Sequence, residues 1–244
     1  MKVLISQQVP SNLAPSEILQ EKFGAELDFH PFFLIEPLSA REFRAEHINL
    51  PDYTAIVFSS RHAIDAYFKL CEEMRFKVPE TMKYFCSTEA VAMYLQKHIV
   101  YRKRKIFFGT GTPASIAALV TAKHKGEKFL ITTTEGSNTT PITTLFTAAK
   151  LDYTVGVLVK PVPQDLHGID LASYDLAVMC NPADVASLKE NFPDFKQGTL
   201  KIISFGKAVV RSLEEAGCEI ALQAPTPEAT SISKAFELYL KSLQ

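Results

Sequence analysis

The sequence predicts an α/β protein built from two similar lobes, each a parallel β-sheet with helices on both faces. A repeat is the first reason: residues 2–15 share a strand-like run, a Ser-Asn pair and a proline with residues 128–141. Residues 53–60 resemble residues 174–181 in the same way. Short apolar runs also alternate with helical patterns along the chain, which is typical of βαβ units. Two half-length units of this kind favour a flavodoxin-like strand order in each.

The first half of the chain contains five predicted strands and five predicted helices. The strands cover residues 2–6, 27–35, 55–59, 83–86 and 105–108. The helices cover residues 15–24, 39–47, 62–73, 89–97 and 112–120. Gly24 ends the first helix, because glycine readily adopts the left-handed conformation that follows a helix. Thr112 and Pro113 start the fifth helix, as N-cap and first-turn residues.

The second half follows the same order. Its predicted strands cover residues 128–132, 153–159, 176–179, 201–204 and 219–222. Its predicted helices cover residues 141–149, 183–191, 207–216 and 230–243. Gly217 stops the helix at 207–216. The Pro-rich stretches 31–37 and 161–163 lie at equivalent points of the repeat, and we expect them to form paired linkers between the lobes.

Composition and charge exclude several classes of protein. Of the 244 residues, 47% are hydrophobic and 22% are charged, which is usual for a globular chain. The formal net charge is −1, so the chain lacks the global positive field of proteins that bind nucleic acid. No apolar run approaches the length of a membrane span. We therefore expect neither nucleic acid nor a membrane as a partner.

The cysteines and histidines suggest neither a metal site nor a disulfide framework. The four cysteines form no C-x-x-C pair, and the six histidines form no cluster with ligand spacing. We expect free, mostly buried thiols, as in a reducing compartment. The N-terminus has one lysine and three apolar residues before Ser6, which is too short for a signal peptide. A cytoplasmic protein without a metal is the expectation.

The loops that follow the strands are the predicted binding region, because ligands of open parallel sheets bind beyond the carboxyl ends of the strands. These loops are residues 6–12, 59–62, 87–89, 132–140, 181–184 and 205–207. Most are small and hydroxylic, and several open helices, whose N–H groups bind anions. We expect a polyanionic ligand there, held largely by main chain. The candidate binding residues are Ser6, Ser59, Ser60, Arg61, Ser137, Asn138, Asn181, Gly206 and Lys207.

Two rival motifs have simpler interpretations. Residues 109–114 fit the dinucleotide pattern G-x-G-x-x-A, but Pro113 favours a tight turn into a helix, and the match lies mid-chain. The basic run at 102–105 could attract an anion, but a solvated face before an edge strand is the favoured interpretation. No Ser/His/Asp order, close carboxylate pair or P-loop is present, so the sequence assigns no catalytic residue.

Several short motifs resemble a known family. They are the segment Phe58–Ile64 (FSSRHAI), its weaker copy Met179–Val185, the Ser-Phe-Gly run at 204–206 with Gly217, and the Ala-Pro-Thr run at 224–226. Together they resemble the uroporphyrinogen-III synthase family over essentially the whole chain. The resemblance implies an exchanged start: residues 1–35 and 162–244 form lobe 1, and residues 36–161 form lobe 2. A two-stranded ladder near residues 35 and 162 would join them.

The resemblance also implies an activity. Enzymes of this family are lyases of porphyrin and heme biosynthesis that close hydroxymethylbilane, a linear tetrapyrrole with eight carboxylates, and invert its last ring. They use no cofactor, and the reaction takes place in the cleft between the lobes. A small-molecule tetrapyrrole polycarboxylate is thus the implied partner, and a monomer is expected. An anionic substrate of this kind suits the predicted loops.

An alternative function comes from a different class. The family commonly has Thr-Ala after each glycine turn and a tyrosine at the linker into the second lobe. This sequence has Val209-Val210, Val91-Ala92 and Val159 at those positions, and Thr88 replaces one glycine. The alternative is therefore a catalytically silent two-lobed binding or regulatory protein for a tetrapyrrole or another polyanion.

Overall fold

Eleven strands and nine α-helices alternate along residues 1–242, the part of the chain that the computed structural model describes. The strands are β1 (Lys2–Ile5), β2 (Glu26–Phe29), β3 (Phe33–Pro37), β4 (Ala55–Phe58), β5 (Lys83–Cys86), β6 (Ile106–Phe108), β7 (Lys128–Thr134), β8 (Asp152–Pro163), β9 (Leu176–Met179), β10 (Lys201–Phe205) and β11 (Leu222–Ala224). The helices are α1 (Ala14–Phe23), α2 (Ala40–Ala45), α3 (Arg61–Glu73), α4 (Glu89–Tyr94), α5 (Pro113–Leu119), α6 (Thr140–Ala148), α7 (Pro182–Asn191), α8 (Lys207–Glu215) and α9 (Ile232–Ser242). The last predicted helix extended to Leu243, which lies outside the described residues.

The chain divides into two units, each with its own sheet. Unit 1 comprises Met1–Leu34 and Val162–Gln244, and unit 2 comprises Ile35–Pro161. The sheet of unit 1 has the order β11-β10-β9-β1-β2, and the strands pair in parallel. Counted in chain order within the unit, this is 2-1-3-4-5, the flavodoxin-like order.

The register of β1 assigns it to the sheet that contains the last strands of the chain. Val3 lies opposite Leu176, and Leu4 lies opposite Ala177, so the first strand pairs with strands from the end of the chain. The β1 strand has apolar side chains on both faces, as expected for a strand covered by helices on both sides of a parallel sheet. Parallel pairing also requires a crossover, which helix α1 supplies between β1 and β2.

The sheet of unit 2 has the order β3-β8-β7-β4-β5-β6. If β7 and β8 are matched with β1 and β2 of the repeat, five of these strands have the same spatial order as in unit 1. The two units differ in chain order: the matched pair β1 and β2 comes first in unit 1, whereas β7 and β8 come after β4, β5 and β6 in unit 2. The additional strand β3 lies at the edge of the sheet, beside β8.

The two linkers pair with each other, as predicted. The Leu38 N–H donates to the Leu158 carbonyl at 2.9 Å, and the Gln164 N–H donates to the Phe32 carbonyl at 2.9 Å. Between these two bonds the residue number rises from 32 to 38 along β3 and falls from 164 to 158 along β8, so the two strands are antiparallel.

The predicted strand at 27–35 is wrong as a single element. It forms two strands, β2 and β3, which belong to different sheets. Pro31 lies in the break, where it cannot donate a main-chain hydrogen bond to a ladder. The strand predicted at 219–222 lies at Leu222–Ala224 instead, where the ladder with β10 begins at Leu222 opposite Ile203. The N–H of Glu219 donates to the Gln197 side chain at 2.7 Å and lies outside that ladder.

Candidate functional site

A cavity of about 490 Å³ lies in unit 2 at the end of the sheet where the parallel strands have their carboxyl ends. We call this end of each sheet, with the loops that follow the strands, the rim. Hydroxyl and amide side chains make up most of its polar lining. These residues are Ser59, Ser87, Thr88, Thr132, Thr133, Thr134, Ser137, Asn138 and Thr139. The apolar side chains of Val57, Ile116 and Ile131 also line it. We call this cavity the hydroxyl pocket.

Unit 1 has a cavity of about 400 Å³ at the equivalent place on its own rim. Ile5, Asn12 and Val178 line it, and they are the repeat counterparts of Ile131, Asn138 and Val57 in the hydroxyl pocket. Most of its other lining side chains are apolar: Pro10, Pro15, Leu19, Leu27, Phe29, Phe205, Ile232 and Phe236. Its polar lining consists of Gln7, Asn12, Ser16, Thr230, Ser231 and Ser233. The repeat therefore produces two pockets at equivalent positions, and hydroxyl side chains are more numerous in the pocket of unit 2.

The predicted binding residues of unit 2 divide into two groups. Ser59, Ser137 and Asn138 line the hydroxyl pocket. Ser60 instead caps helix α3, since its hydroxyl accepts a hydrogen bond from the Ala63 N–H at 3.1 Å. The Arg61 guanidinium lies over the ring of Tyr94, 5.4 Å from the ring centroid. The structure thus brings three of the five together in the pocket and gives Ser60 and Arg61 local contacts.

The predicted binding residues of unit 1 are mostly engaged in its own hydrogen bonds. Ser6 is buried, and its hydroxyl donates to Asp184 at 2.6 Å. Asn181 is the N-cap of α7, and its Oδ1 accepts from the Ala183 N–H at 3.0 Å. The Gly206 N–H, expected to contact a ligand, donates to the Ala224 carbonyl at 2.6 Å. Lys207 is exposed, and as the first residue of α8 it has no intrahelical partner for its N–H.

Asp184 is a buried ionisable residue of this rim that was not among the residues predicted to form the site. Its carboxyl is fully buried, and Oδ2 accepts from the N–H groups of Cys180 and Asn181, both at 2.8 Å, as well as from Ser6. Oδ1 has no hydrogen-bond partner among the described residues. Burial raises the pKa of the Asp184 carboxyl above its usual range. The Asn-x-x-Asp spacing of a capping box was the available signal.

The two rival motifs adopt ordinary structures. Gly109 lies against the side chain of Ser115, where a Cβ would collide, and Gly111 has a φ of 93°. The Thr112 hydroxyl caps the following helix by accepting from the Ser115 N–H at 3.2 Å. The glycines therefore form the predicted tight turn. In the basic run, Arg102, Lys103 and Arg104 are exposed, and Arg102 pairs with Glu80 at 3.2 Å.

The described part of the chain holds no metal-binding cluster, and burial raises the pKa of all four cysteine thiols. Residues 1–242 contain no group of three or more His, Cys, Asp or Glu side chains placed to hold a metal ion. All four cysteines are free, and burial raises the pKa of the Cys180 thiol to about 12. A thiol with so high a pKa is almost entirely protonated near neutral pH. Of the helices described, none is both long and apolar enough to cross a membrane.

Comparison with known proteins identifies the family. A family model described as uroporphyrinogen-III synthase HemD matches residues 16–234. The chain belongs to the uroporphyrinogen-III synthase family. The predicted family is thereby confirmed, and with it the uroporphyrinogen-III synthase function and its lyase class in porphyrin biosynthesis. No curated protein matches the sequence significantly.

Solved structures of uroporphyrinogen-III synthases share the fold over the full length of the chain. The uroporphyrinogen-III synthetase of Helicobacter pylori is similar with a TM-score of 0.60 and 15% identity, over 100% of this chain and 99% of that chain. A mutant uroporphyrinogen III synthase of Thermus thermophilus gives a TM-score of 0.53 and 15% identity, over 99% of each chain. The predicted fold class, with two flavodoxin-like parallel sheets, is confirmed.

Three of the four valines that differ from the pattern expected for uroporphyrinogen-III synthases are core residues here, and Val210 is half-buried. Val159 is 1% exposed, Val209 is 1% exposed and Val91 is 8% exposed. A hydroxyl at such a position would need a buried hydrogen-bond partner. These three valines instead contribute apolar packing beneath the rims of their units.

Proposed function

We propose that this chain is an active uroporphyrinogen-III synthase that closes hydroxymethylbilane with inversion of its last ring. The observation that carries the proposal is the hydroxyl pocket, whose polar groups lie where a parallel sheet binds its ligands. The hydroxyls of Ser87, Thr132 and Thr133 already donate to main-chain carbonyls. The remaining hydroxyls of the pocket can each donate one hydrogen bond to a carboxylate, and the Asn138 amide can donate two. These remaining hydroxyls belong to Ser59, Thr88, Thr134, Ser137 and Thr139. Neutral donors of this kind suit a substrate that carries many carboxylates.

The substrate carboxylates would be held by side-chain donors and by main-chain N–H groups of the rims. The Asn138 Oδ1 already accepts from the Thr140 N–H at 3.0 Å, so its Nδ2 group is the one that would face the ligand. On unit 1, the first-turn N–H groups of α8 at Lys207 and Ala208 would serve the same role. A hydrogen bond to a charged group contributes about 1.5–3 kcal/mol, so a few such contacts fix a carboxylate firmly.

The chemistry proposed for these residues is orientation and electrostatic stabilisation. Closure removes the substrate hydroxyl as water, forms a carbon–carbon bond from the freed methylene to the last ring and releases a proton from that ring. Inversion also requires the bond between the last ring and its existing methylene bridge to break and to form again at the other α-carbon of the ring. Holding the ends of the linear substrate close together makes that step effectively unimolecular. Fixed donors that face the carboxylates also prevent the chain of pyrroles from closing in the uninverted arrangement. No residue is assigned as the proton donor to the leaving hydroxyl.

Product analysis tests the proposal. Purified protein is mixed with freshly prepared hydroxymethylbilane, and the ratio of type III to type I uroporphyrinogen is measured after oxidation. We expect mainly the type III isomer, whereas a sample with heat-denatured protein should give the type I isomer of spontaneous closure. Equal ratios in both samples would refute synthase activity. Tight binding of uroporphyrinogen in the absence of activity would then favour the silent binding protein.

We further propose that the protein acts as a monomer in the cytoplasm. The four free cysteines support a reducing compartment, because extracellular proteins usually pair such residues. Sedimentation velocity at several protein concentrations tests the oligomeric state. A sedimentation coefficient that rises with concentration would contradict the monomer.

A further inference from the structure

Unit 1 places a buried carboxylate where its repeat counterpart in unit 2 has a methyl group. Asp184 is the fourth residue of the segment that begins at Asn181, and its counterpart is Ala63, which follows the cap residue Ser60. Both segments start a helix directly after a central strand of their sheet. The two units have the same backbone plan here, so the plan itself does not require the carboxylate.

The hydroxyl that binds Asp184 also differs from its counterpart. Ser6 directly follows β1 and donates to Asp184 at 2.6 Å, whereas Thr132, its repeat counterpart in β7, donates to the Val57 carbonyl at 2.8 Å. In unit 2 the two strand ends are therefore joined by a hydrogen bond from the Thr132 side chain to the Val57 main chain. In unit 1 the same rim is tied through a carboxyl group.

Asp184 joins two loops that are far apart in sequence. Through Ser6 it holds the loop after β1, and through the N–H groups of Cys180 and Asn181 it holds the loop after β9. Both loops belong to the rim, and Gln7, next to Ser6, lines the unit 1 pocket. All three donors converge on Oδ2, which joins the two loops beyond the last main-chain bond between them, from the Ser6 N–H to the Val178 carbonyl at 3.0 Å.

From this geometry we infer that Asp184 is a positioning residue for substrate binding, which acts by fixing the β1 and β9 loops of the unit 1 rim. The inference rests on the proposed function, since the substrate is hydroxymethylbilane. Asp184 itself is fully buried, so it acts through the loops and does not contact substrate. Removing the carboxyl frees two main-chain N–H groups and one hydroxyl. The β1 and β9 loops then keep only the main-chain bond from the Ser6 N–H to the Val178 carbonyl, so their positions beyond it are less restricted.

Kinetics of matched variants test this role. Asp184→Ala should raise KM for hydroxymethylbilane by about tenfold and change kcat less, since about 1.4 kcal/mol of lost preorganisation corresponds to a tenfold weaker binding. Asp184→Asn keeps an oxygen that accepts the three hydrogen bonds, so it should restore most of the affinity. Asp170→Ala is the control, because Asp170 also caps a helical turn of unit 1, through the Ala172 N–H at 3.2 Å, but before β9 and away from the rim. It should leave KM unchanged.

The coupling between Ser6 and Asp184 supplies a second measurement. Ser6→Ala should raise KM by a smaller factor, and in combination with Asp184→Ala it should add nothing, because the shared bond is already lost. Amide hydrogen exchange of Cys180 and Asn181 should accelerate in Asp184→Ala but not in Asp184→Asn. A folded Asp184→Ala variant with wild-type KM overturns the inference. If that variant does not fold, Ser6→Ala with wild-type KM overturns it instead.

Failure of the proposed function is recognised separately. A wild-type protein that produces no type III isomer refutes the synthase proposal before any variant is compared. The same variants are then titrated with uroporphyrinogen III in the absence of turnover. Equal dissociation constants for wild type and Asp184→Ala would overturn the positioning role on their own.

Discussion

Asn12 and Asn138 make the same hydrogen bond at equivalent places of the two units. The Asn12 Oδ1 accepts from the Ala14 N–H at 3.1 Å, and the Asn138 Oδ1 accepts from the Thr140 N–H at 3.0 Å. Each residue lines the rim pocket of its own unit. The repeat is thus preserved down to an individual turn, while the pockets around it differ. A comparison of variants at Asn12 and Asn138 can therefore distinguish the contribution of the asparagine to its own turn from its contribution to ligand binding.

Replacement of Asn138 should weaken substrate binding more than replacement of Asn12. Both Asn→Ala changes remove the same hydrogen bond between side chain and main chain, so both should lower the free energy of unfolding by about 1 kcal/mol. Only Asn138→Ala also removes a donor from the hydroxyl pocket, which should raise KM by roughly tenfold. Steady-state kinetics and urea denaturation measure the two effects. An equal rise in KM for both variants would contradict a special role of the hydroxyl pocket.

The basic run should be dispensable for activity. Arg102 and Lys103 are exposed, and the ion pair of Arg102 with Glu80 lies at the surface. Exposed ion pairs of this type contribute about 0–1 kcal/mol to stability. The double variant Arg102→Ala/Lys103→Ala should therefore have wild-type KM and kcat, and nearly wild-type stability. A KM that rises and becomes less dependent on salt would instead show that these cations attract the substrate.

Local signals in the sequence were enough to predict the rims, but not their hydrogen bonds. The strand ends, the N-cap residues and Gly24 depend on neighbours within a few positions, so their patterns appear directly in the sequence. The bond from Ser6 to Asp184 joins residues 178 positions apart, and only the exchanged start brings them together. For the same reason Ser6 was expected to bind a ligand, whereas the structure shows its hydroxyl bound within the unit.

The break between β2 and β3 could not be predicted from apolar pattern alone. The run at 27–35 is mostly apolar or aromatic apart from Asp28 and His30, so it resembles one long strand around Pro31. Its two parts separate because β2 pairs with β1 in unit 1, whereas β3 pairs with β8. Which sheet a strand joins is a property of the tertiary fold, and a single proline was the only local indication.

Gly206 should matter through its backbone conformation. Its φ is 132°, a region that other residues rarely adopt, and its N–H donates to the Ala224 carbonyl. Gly206→Ala should lower the free energy of unfolding by about 1–3 kcal/mol, because the side chain strains the turn before α8. Gly168→Ala is the matched control, since Gly168 has no positive φ and open space around its Cα. Urea denaturation of both variants measures the difference, and equal stabilities would contradict the strain argument.

The buried carboxyl of Asp184 should make stability depend on pH in a definite direction. Burial raises its pKa in the folded protein above the unfolded value, so folding favours the protonated form. Its contribution to stability is fully present below the unfolded pKa, near 3.8, and is lost as the pH rises toward the folded pKa. Asp184→Asn has no proton to lose. Relative to wild type, this variant should therefore gain stability as the pH increases from about 4 toward neutrality.

Urea denaturation of wild type and Asp184→Asn at several pH values measures this dependence. The comparison between the two proteins is needed because other groups titrate in the same range: hydrogen bonds from three lysines, for example, lower the pKa of Glu237 to about 2. That group opposes Asp184, since its contribution is lost as the pH falls from the unfolded value toward 2. It contributes equally to both proteins and cancels in their difference. A difference in stability that does not change with pH would show that Asp184 has the same protonation state in the folded and unfolded chains.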